Sequence, residues 1–306
     1  MPATRTLVRP TTTALLIALS ATLLASSPAI ADSVLAADPT ARNVSAYGTT
    51  SAWSRQAADG SYRLVVMGGS RVAADAPVRS SRAPFDPDVG PTTRNTRYVV
   101  YSRCTSPVAK RGCDVYGYDP ATRKERKLTA ISARDSSETA PSYFKGALAF
   151  GRNGTRHGLY IARPGHKPRR IAAAVPRETD LSATHVITNG EEIVVRRRDG
   201  SRPRSFDQNY GGEEAISRAS SPVLSRSSAF WIRGGGEYGQ HDHGEPWQVD
   251  VGTVSLRSSA TRGRYGDRRF AENDMDTIAL GPSGLPEFFS GAGGVSLIDP
   301  LLAFTA

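Results

Sequence analysis

The sequence predicts an all-β chain folded as a β-propeller of six blades, each of four antiparallel strands. Three observations carry that prediction. No long stretch holds the 3.6-residue period of an amphipathic helix. The 29 glycines and 20 prolines punctuate short alternating apolar runs, as turns between strands require. One kind of strand also recurs at a spacing that suits a blade.

The recurring strand is a short apolar run closed by arginine: SAWSR, VVYSR, LAFGR, IVVRR and AFWIR, with arginines at 55, 103, 152, 197 and 233. A further step lands on TIALGP (277–282), where the arginine is missing, and completes six units. In each unit a loop leads to a second run (YRLVVM, DVYGYD, GLYIAR, PRSFDQ, PWQVDV, LPEFFS). A turn then leads to a third, such as RVAADAPV, KPRRIAAAV or EEAISRAS. Residues 140–173 show the full pattern: PSYF, a Lys-Gly turn, ALAFGR, an Asn-Gly loop, LYIAR, a Pro-Gly turn and PRRIAA. Such a sheet cannot bury both faces alone, so the units stack around an axis. The expected blades are 48–82, 85–130, 140–174, 180–220, 221–260 and 268–300, with 32–47 as an N-terminal segment that could close the ring.

The N-terminus sets the compartment. Arg5 and Arg9 precede the apolar stretch ALLIALSATLLA, and Ala29-Ile30-Ala31 gives an A-x-A-like end. This describes a secretory signal peptide over residues 1–31, cut after Ala31. The stretch is short for a membrane span, and Asp32, not cysteine, follows the cut, which disfavours a lipid anchor. A secreted or extracytoplasmic protein is expected. The only cysteines, Cys104 and Cys113, flank TSPVAKRG at the ends of two alternating runs. Facing residues at a hairpin base stand within disulfide reach, so the pair reads as a structural staple of one loop.

The segment CDVYGYDPATRKERKLTAISARDSSETAPSYFKGALAFGR resembles the repeat of TolB-like propellers. Asp114, Tyr116, Leu128, Thr129, Pro141, Ser142, Gly146, Ala149 and Phe150 stand at the motif positions. The match is good in units two and three, recognisable in one and five, and poor in four and six. The family's Ser-Pro-Asp-Gly turn is reduced here to Phe144-Lys145-Gly146. The resemblance implies a TolB-like six-bladed fold that works by binding.

Charge and chemistry narrow the function. The net charge of +10 is carried by arginine, with only five lysines among 39 basic residues. The arginines spread along the chain, and no aromatics interleave with Arg196-Arg197-Arg198, so no nucleic-acid partner is expected. His241, Asp242 and His243, in the loop GGGEYGQHDHGEPW, are weak candidates for a metal site, and no cofactor is expected. The G-x-G-x-x-G match at Gly234, Gly236 and Gly239 precedes a strand rather than a helix and is set aside. No G-x-S-x-G elbow occurs. Asp86 with Asp88, and Asp274 with Asp276, read as strand-entry aspartates bonding turn amides, and Asp135 and Glu138 as solvated turn residues. No catalytic residue is assigned.

The expected function is therefore that of an exported, monomeric, non-catalytic propeller binding a protein or cell-envelope component. The alternative is a secreted lyase or hydrolase using a histidine, carboxylate or metal site, which would need His185, His241 and His243 to meet in one pocket. A blander third reading is a scaffold with no ligand of its own.

Overall fold

A computed structural model describes residues 38, 40–68, 72–208, 210–211, 215–237 and 248–257, together with the short strands 33–36, 264–266, 277–280, 286–289 and 295–297. Residues 32–306 form one compact unit. Every regular element described is a strand.

After β1 (Ser33–Ala36) come five antiparallel sheets, each of sequence-adjacent strands. Blade 1 holds β2 (Ala41–Tyr47), β3 (Thr50–Gln56), β4 (Tyr62–Met67) and β5 (Ala73–Asp75). Blade 2 holds β6 (Asp88–Pro91), β7 (Arg97–Ser106), β8 (Arg111–Asp119) and β9 (Lys124–Lys127). Blade 3 holds β10 (Ser136–Phe144), β11 (Ala147–Gly154), β12 (Gly158–Ala162) and β13 (Arg169–Ala172). Blade 4 holds β14 (Glu178–Leu181), β15 (His185–Asn189), β16 (Glu192–Arg197) and β17 (Arg204–Gln208). Blade 5 has five strands: β18 (Tyr210–Gly211), β19 (Ala215–Leu224), β20 (Ser228–Glu237), β21 (Gln248–Ser255) and β22 (Arg264–Gly266).

Among the described residues the propeller has five blades, not the six expected. The sixth unit supplies two strands to one short ladder, β23 (Thr277–Leu280) with β24 (Pro286–Phe289). Its next strand, β25 (Val295–Leu297), pairs antiparallel with β1. The last unit is thus divided between two two-stranded sheets instead of forming one four-stranded sheet. One strand of each blade lies against its counterparts on either side, β2 to β6 to β10 to β14 to β19, and β23 lies against both β19 and β2.

Unit four also differs in phase. IVVRR is the third strand of its blade, β16, and not the second, which is the HVITN of β15. The run PRSFDQ falls in the outermost strand, β17, and EEAISRAS leads into β19 of the next blade. An inner strand with both faces covered is a near-continuous apolar run whichever rank it holds, so the motif marks burial rather than order.

Alternate side chains of each second strand serve the layers on its two sides. Val99 and Tyr101 join Ala52, Leu64 and Phe85 between blades 1 and 2, while Tyr98 and Val100 join Leu148 and Phe150 between blades 2 and 3. Ala149, Ile161, Leu181 and Val186 fill the next layer. Ile187, Ile193, Phe206 and Trp231 fill the layer between blades 4 and 5. Each such side chain contributes about 1.5–3 kcal/mol when fully buried.

Candidate functional site

The inner strands follow an alternating plan. In β2, β10 and β19 the ladder register shifts at a bulge, between Arg42 and Ser45, Thr139 and Ser142, and Ser220 and Val223. Each bulge holds a non-glycine residue at positive φ: Asn43 (53°), Ala140 (49°) and Ser221 (50°). A bulge leaves an amide outside the ladder. The neighbouring blade answers with a carboxylate. Asp86 accepts the Ala140 N–H at 3.1 Å and Asp88 the Tyr143 N–H at 2.8 Å. Glu178 accepts the Ser221 N–H at 3.0 Å and Asp180 the Leu224 N–H at 2.5 Å. An acid-x-acid motif in blades 2 and 4 thus clasps the bulge of blades 3 and 5, through residues of the same rank each time. Gly90 permits the close approach of β6 to β10, since a Cβ there would stand 1.7 Å from the Tyr143 carbonyl oxygen.

Asp88 and Asp180 meet around Ser142, whose hydroxyl donates to Asp180 at 3.2 Å and also bonds Asp88. Burial first, then the charge of Asp180, pushes the Asp88 carboxyl well above its ordinary range. Burial pushes Asp180 up to about 6, against the hydrogen bonds of Leu224, Leu181 and Ser142. Burial also raises Asp86 and Glu178, and the Lys110 ammonium pulls both partway back. Paired carboxylates of raised pKa are the material of acid–base chemistry. Here each already accepts a backbone N–H of the next blade. Asp86 and Asp88 therefore bond backbone amides, as the sequence suggested, Asp86 that of Ser102 in its own blade at 2.6 Å as well as those the pair takes from the neighbouring blade. Asp274 and Asp276 lie outside the described residues.

Sequence reasoning missed Glu178 and Asp180. Their signal was available as the repeat Asp86-Pro87-Asp88, Glu178-Thr179-Asp180 and Asp274-Met275-Asp276, which recurs once every two units. Glu138 is a correction. It is fully buried in β10, where the Arg152 Nε–H donates to it at 2.9 Å, and it is not a solvated turn residue.

Three of the strand-closing arginines pair within their own blades. Arg55 pairs with Asp75, Arg103 with Glu125 and Arg152 with Glu138. Arg103 also lies over the Tyr116 ring at 4.3 Å and Arg152 over Tyr160 at 4.5 Å.

Cys104 and Cys113 face each other across β7 and β8 and form a disulfide, with Cα atoms 3.7 Å apart. It closes the loop Thr105–Gly112, in which Val108 is 85% exposed and Lys110 and Arg111 are exposed. The Cys113 N–H donates to Ser137 at the start of β10, which fixes the loop base to the inner strands.

His157 and His166 are exposed loop residues. His185 opens β15 beside Thr184, its pKa lowered by burial and by Arg204 and Arg197. His241, Asp242 and His243 lie outside the described residues. Among the described residues no group of three or more His, Cys, Asp or Glu could hold a metal ion.

The fold and these inner strands define the class: a β-propeller protein. No protein-family model matches the chain, and no curated protein matches it either. Among solved structures it is similar to YjhT, with 10% identity, coverage of 87% of this chain and 96% of that one, and a TM-score of 0.51. It is also similar to puromycin hydrolase, with 18% identity, coverage of 86% of this chain and 46% of that one, and a TM-score of 0.50. The chain thus spans less than half the length of that hydrolase. At such identities these likenesses show a shared propeller fold.

Proposed function

We propose that this chain is an exported, non-catalytic propeller of the TolB-like kind that binds a protein or cell-envelope component through one face of its disc. One observation carries the reading: the stapled loop Thr105–Gly112 presents an exposed apolar side chain, Val108, followed by the exposed cations Lys110 and Arg111, while the acid-x-acid carboxylates are taken up in holding blades together. Large exposed apolar residues are scarce here, with only Val72 and Val108 among the described residues. A rigid loop carrying one is suited to contact, because little conformational freedom is lost when it docks.

Export is supported by the charged and apolar N-terminal pattern and by the disulfide, since such bonds persist in oxidising compartments. Among the described residues no helix is long and apolar enough to cross a membrane. The TolB-like reading rests on the motif residues of units two and three. Pro141 and Ser142 of that motif stand in β10 at the bulge that Asp86 and Asp88 clasp.

The test is affinity capture on the immobilised protein from detergent-solubilised envelope and culture supernatant, with a salt step before denaturant. A defined component that survives about 0.5 M salt, where exposed charge pairs are screened, and that is lost with Val108→Asp supports the reading. If all bound material leaves in salt, only the net positive charge was acting and the proposal fails.

A further inference from the structure

Blade 3 carries its charge differently from its neighbours. Residues 139–177 hold eight arginines and lysines and no acid. The third and fourth strands of blades 1, 2 and 4 all include acids: Asp75, Asp114 with Glu125, and Glu192. Those of blade 3, β12 and β13, include none. The register makes the contrast specific. In blade 1 Arg55 faces Arg63, and two residues along β4 Val65 faces Asp75, which Arg55 reaches. In blade 3 Arg152 faces Gly158, and two residues along β12 Tyr160 faces Arg170. Arg170 thus stands where blade 1 has the acid, and Arg152 pairs instead with Glu138 on the inner side.

The cations of this hairpin line the outer edge of the blade from end to end. β13 is the outermost strand, so its far edge is unpaired in the sheet. At one end the turn between β12 and β13 carries Arg163 and Lys167 and is closed by the His166 N–H on the Arg163 carbonyl at 3.1 Å. Arg169 and Arg170 open β13. At the other end the Tyr160 hydroxyl donates to the Arg156 carbonyl at 2.8 Å and holds Arg156 beside β12. The Arg170 side chain reaches toward that end, with its Nε 2.7 Å from where a Gly158 Cβ would stand. Arg156, Arg163, Lys167, Arg169 and Arg170 are all exposed, and none enters an ion pair among the described residues. Asp199, held by Ser201 and reached more weakly by the Arg169 charge, forms no ion pair here either.

We infer that the outer edge of blade 3 is a docking surface for a linear polymer of phosphate units, engaged by Arg156, Arg163, Lys167, Arg169 and Arg170. These cations follow the five residues of β12, a line about 16 Å long at the usual rise per residue. A chain charged at every unit can follow such a line. Guanidiniums, which make up all but Lys167, take phosphate oxygens in pairs. No Phe, Tyr or Trp of the hairpin is exposed, so a nucleic acid would find charge but no ring on which to stack its bases. The exposed large apolar residues described, Val72 and Val108, lie in other blades, so this edge has nothing to insert into a bilayer. The surface is separate from the Val108 loop of blade 2, and the inference does not depend on the reading proposed for that loop.

Fluorescence anisotropy of labelled long-chain inorganic polyphosphate, with the whole protein at low ionic strength, tests the inference. Saturable binding is expected, weakened about three-fold by Arg163→Gln and by Arg170→Gln. Each variant should also lower the slope of log affinity against log salt by about one. Arg170→Asp, which gives blade 3 the acid of blade 1, should weaken binding further and leave the melting temperature no lower. Arg82→Gln removes an exposed cation of blade 1 and should leave affinity and slope unchanged. No saturable binding, or equal weakening by Arg82→Gln, would overturn the proposal in favour of diffuse surface charge. A lower melting temperature with unchanged affinity in Arg170→Asp would make Arg170 a structural residue and overturn it too. Tighter binding of polygalacturonate, or of phosphatidylglycerol vesicles, would overturn the choice of a phosphate polymer.

Discussion

Asp180 shows how one side chain couples the inner strands to pH. Its folded pKa stands near 6 against an ordinary 3.8, so the native state binds the proton more tightly than the unfolded chain does. The stability this group adds is complete below about pH 4 and is lost as pH rises through 6. In urea unfolding of wild type and Asp180→Asn between pH 4 and 7.5, the wild type should lose ground to the variant as pH rises. A difference that is flat, or that moves the other way, would show that Asp180 is not held above its ordinary range. Asp86 and Asp88 could be read from sequence because acid-x-acid before a strand has a known use. Glu178 and Asp180 escaped because they carry a glutamate and recur at twice the blade period. The buried Glu138–Arg152 pair was illegible for a different reason: burial of an acid depends on a partner fourteen residues away, which no local pattern reports.

Single elements were more legible than their rank in a blade. SAWSR, VVYSR and LAFGR are second strands as expected, because a run buried on both sides reads as continuously apolar, while AFWIR is the third of five strands in its sheet and pairs directly with β19. Unit four broke the phase because two consecutive strands, β15 and β16, have the same character and only the second ends in arginine. The disulfide hairpin was fully legible, since cysteines at facing ends of two alternating runs leave one simple pairing. Its contribution can be measured. With eight residues between the cysteines, loop-closure entropy puts the staple at about 2–3 kcal/mol. The double variant Cys104→Ser, Cys113→Ser should lower the unfolding free energy by that amount, moving the guanidinium midpoint down in proportion, and should weaken retention of any partner bound through Val108. An unchanged midpoint would mean that β7 and β8 hold the loop without the bond.

At the scale of the whole molecule, the question is what turns stacked blades into a ring. Stacked sheets contact only their neighbours, so a row of them frays from its ends unless the ends are joined. Sequence periodicity counted units but could not show that the sixth would be divided, because strand pairing across some 260 residues leaves no local mark. The division has a mechanical meaning. Ser33–Ala36 and Val295–Leu297, from opposite ends of the chain, make the β1–β25 ladder, and β23 fits between the inner strands of blades 5 and 1. Cleavage after Ala31, as proposed for the exported form, would leave β1 intact. Removing residues 33–36 should then open the closure, lowering stability by about 2 kcal/mol and the melting temperature by several degrees, at about 2–4 °C per kcal/mol. Unfolding should also become less cooperative as the freed ends fray first. Calorimetry of the shortened protein decides the matter: an unchanged melting temperature with a single sharp transition would mean that the inner strands close the ring without β1.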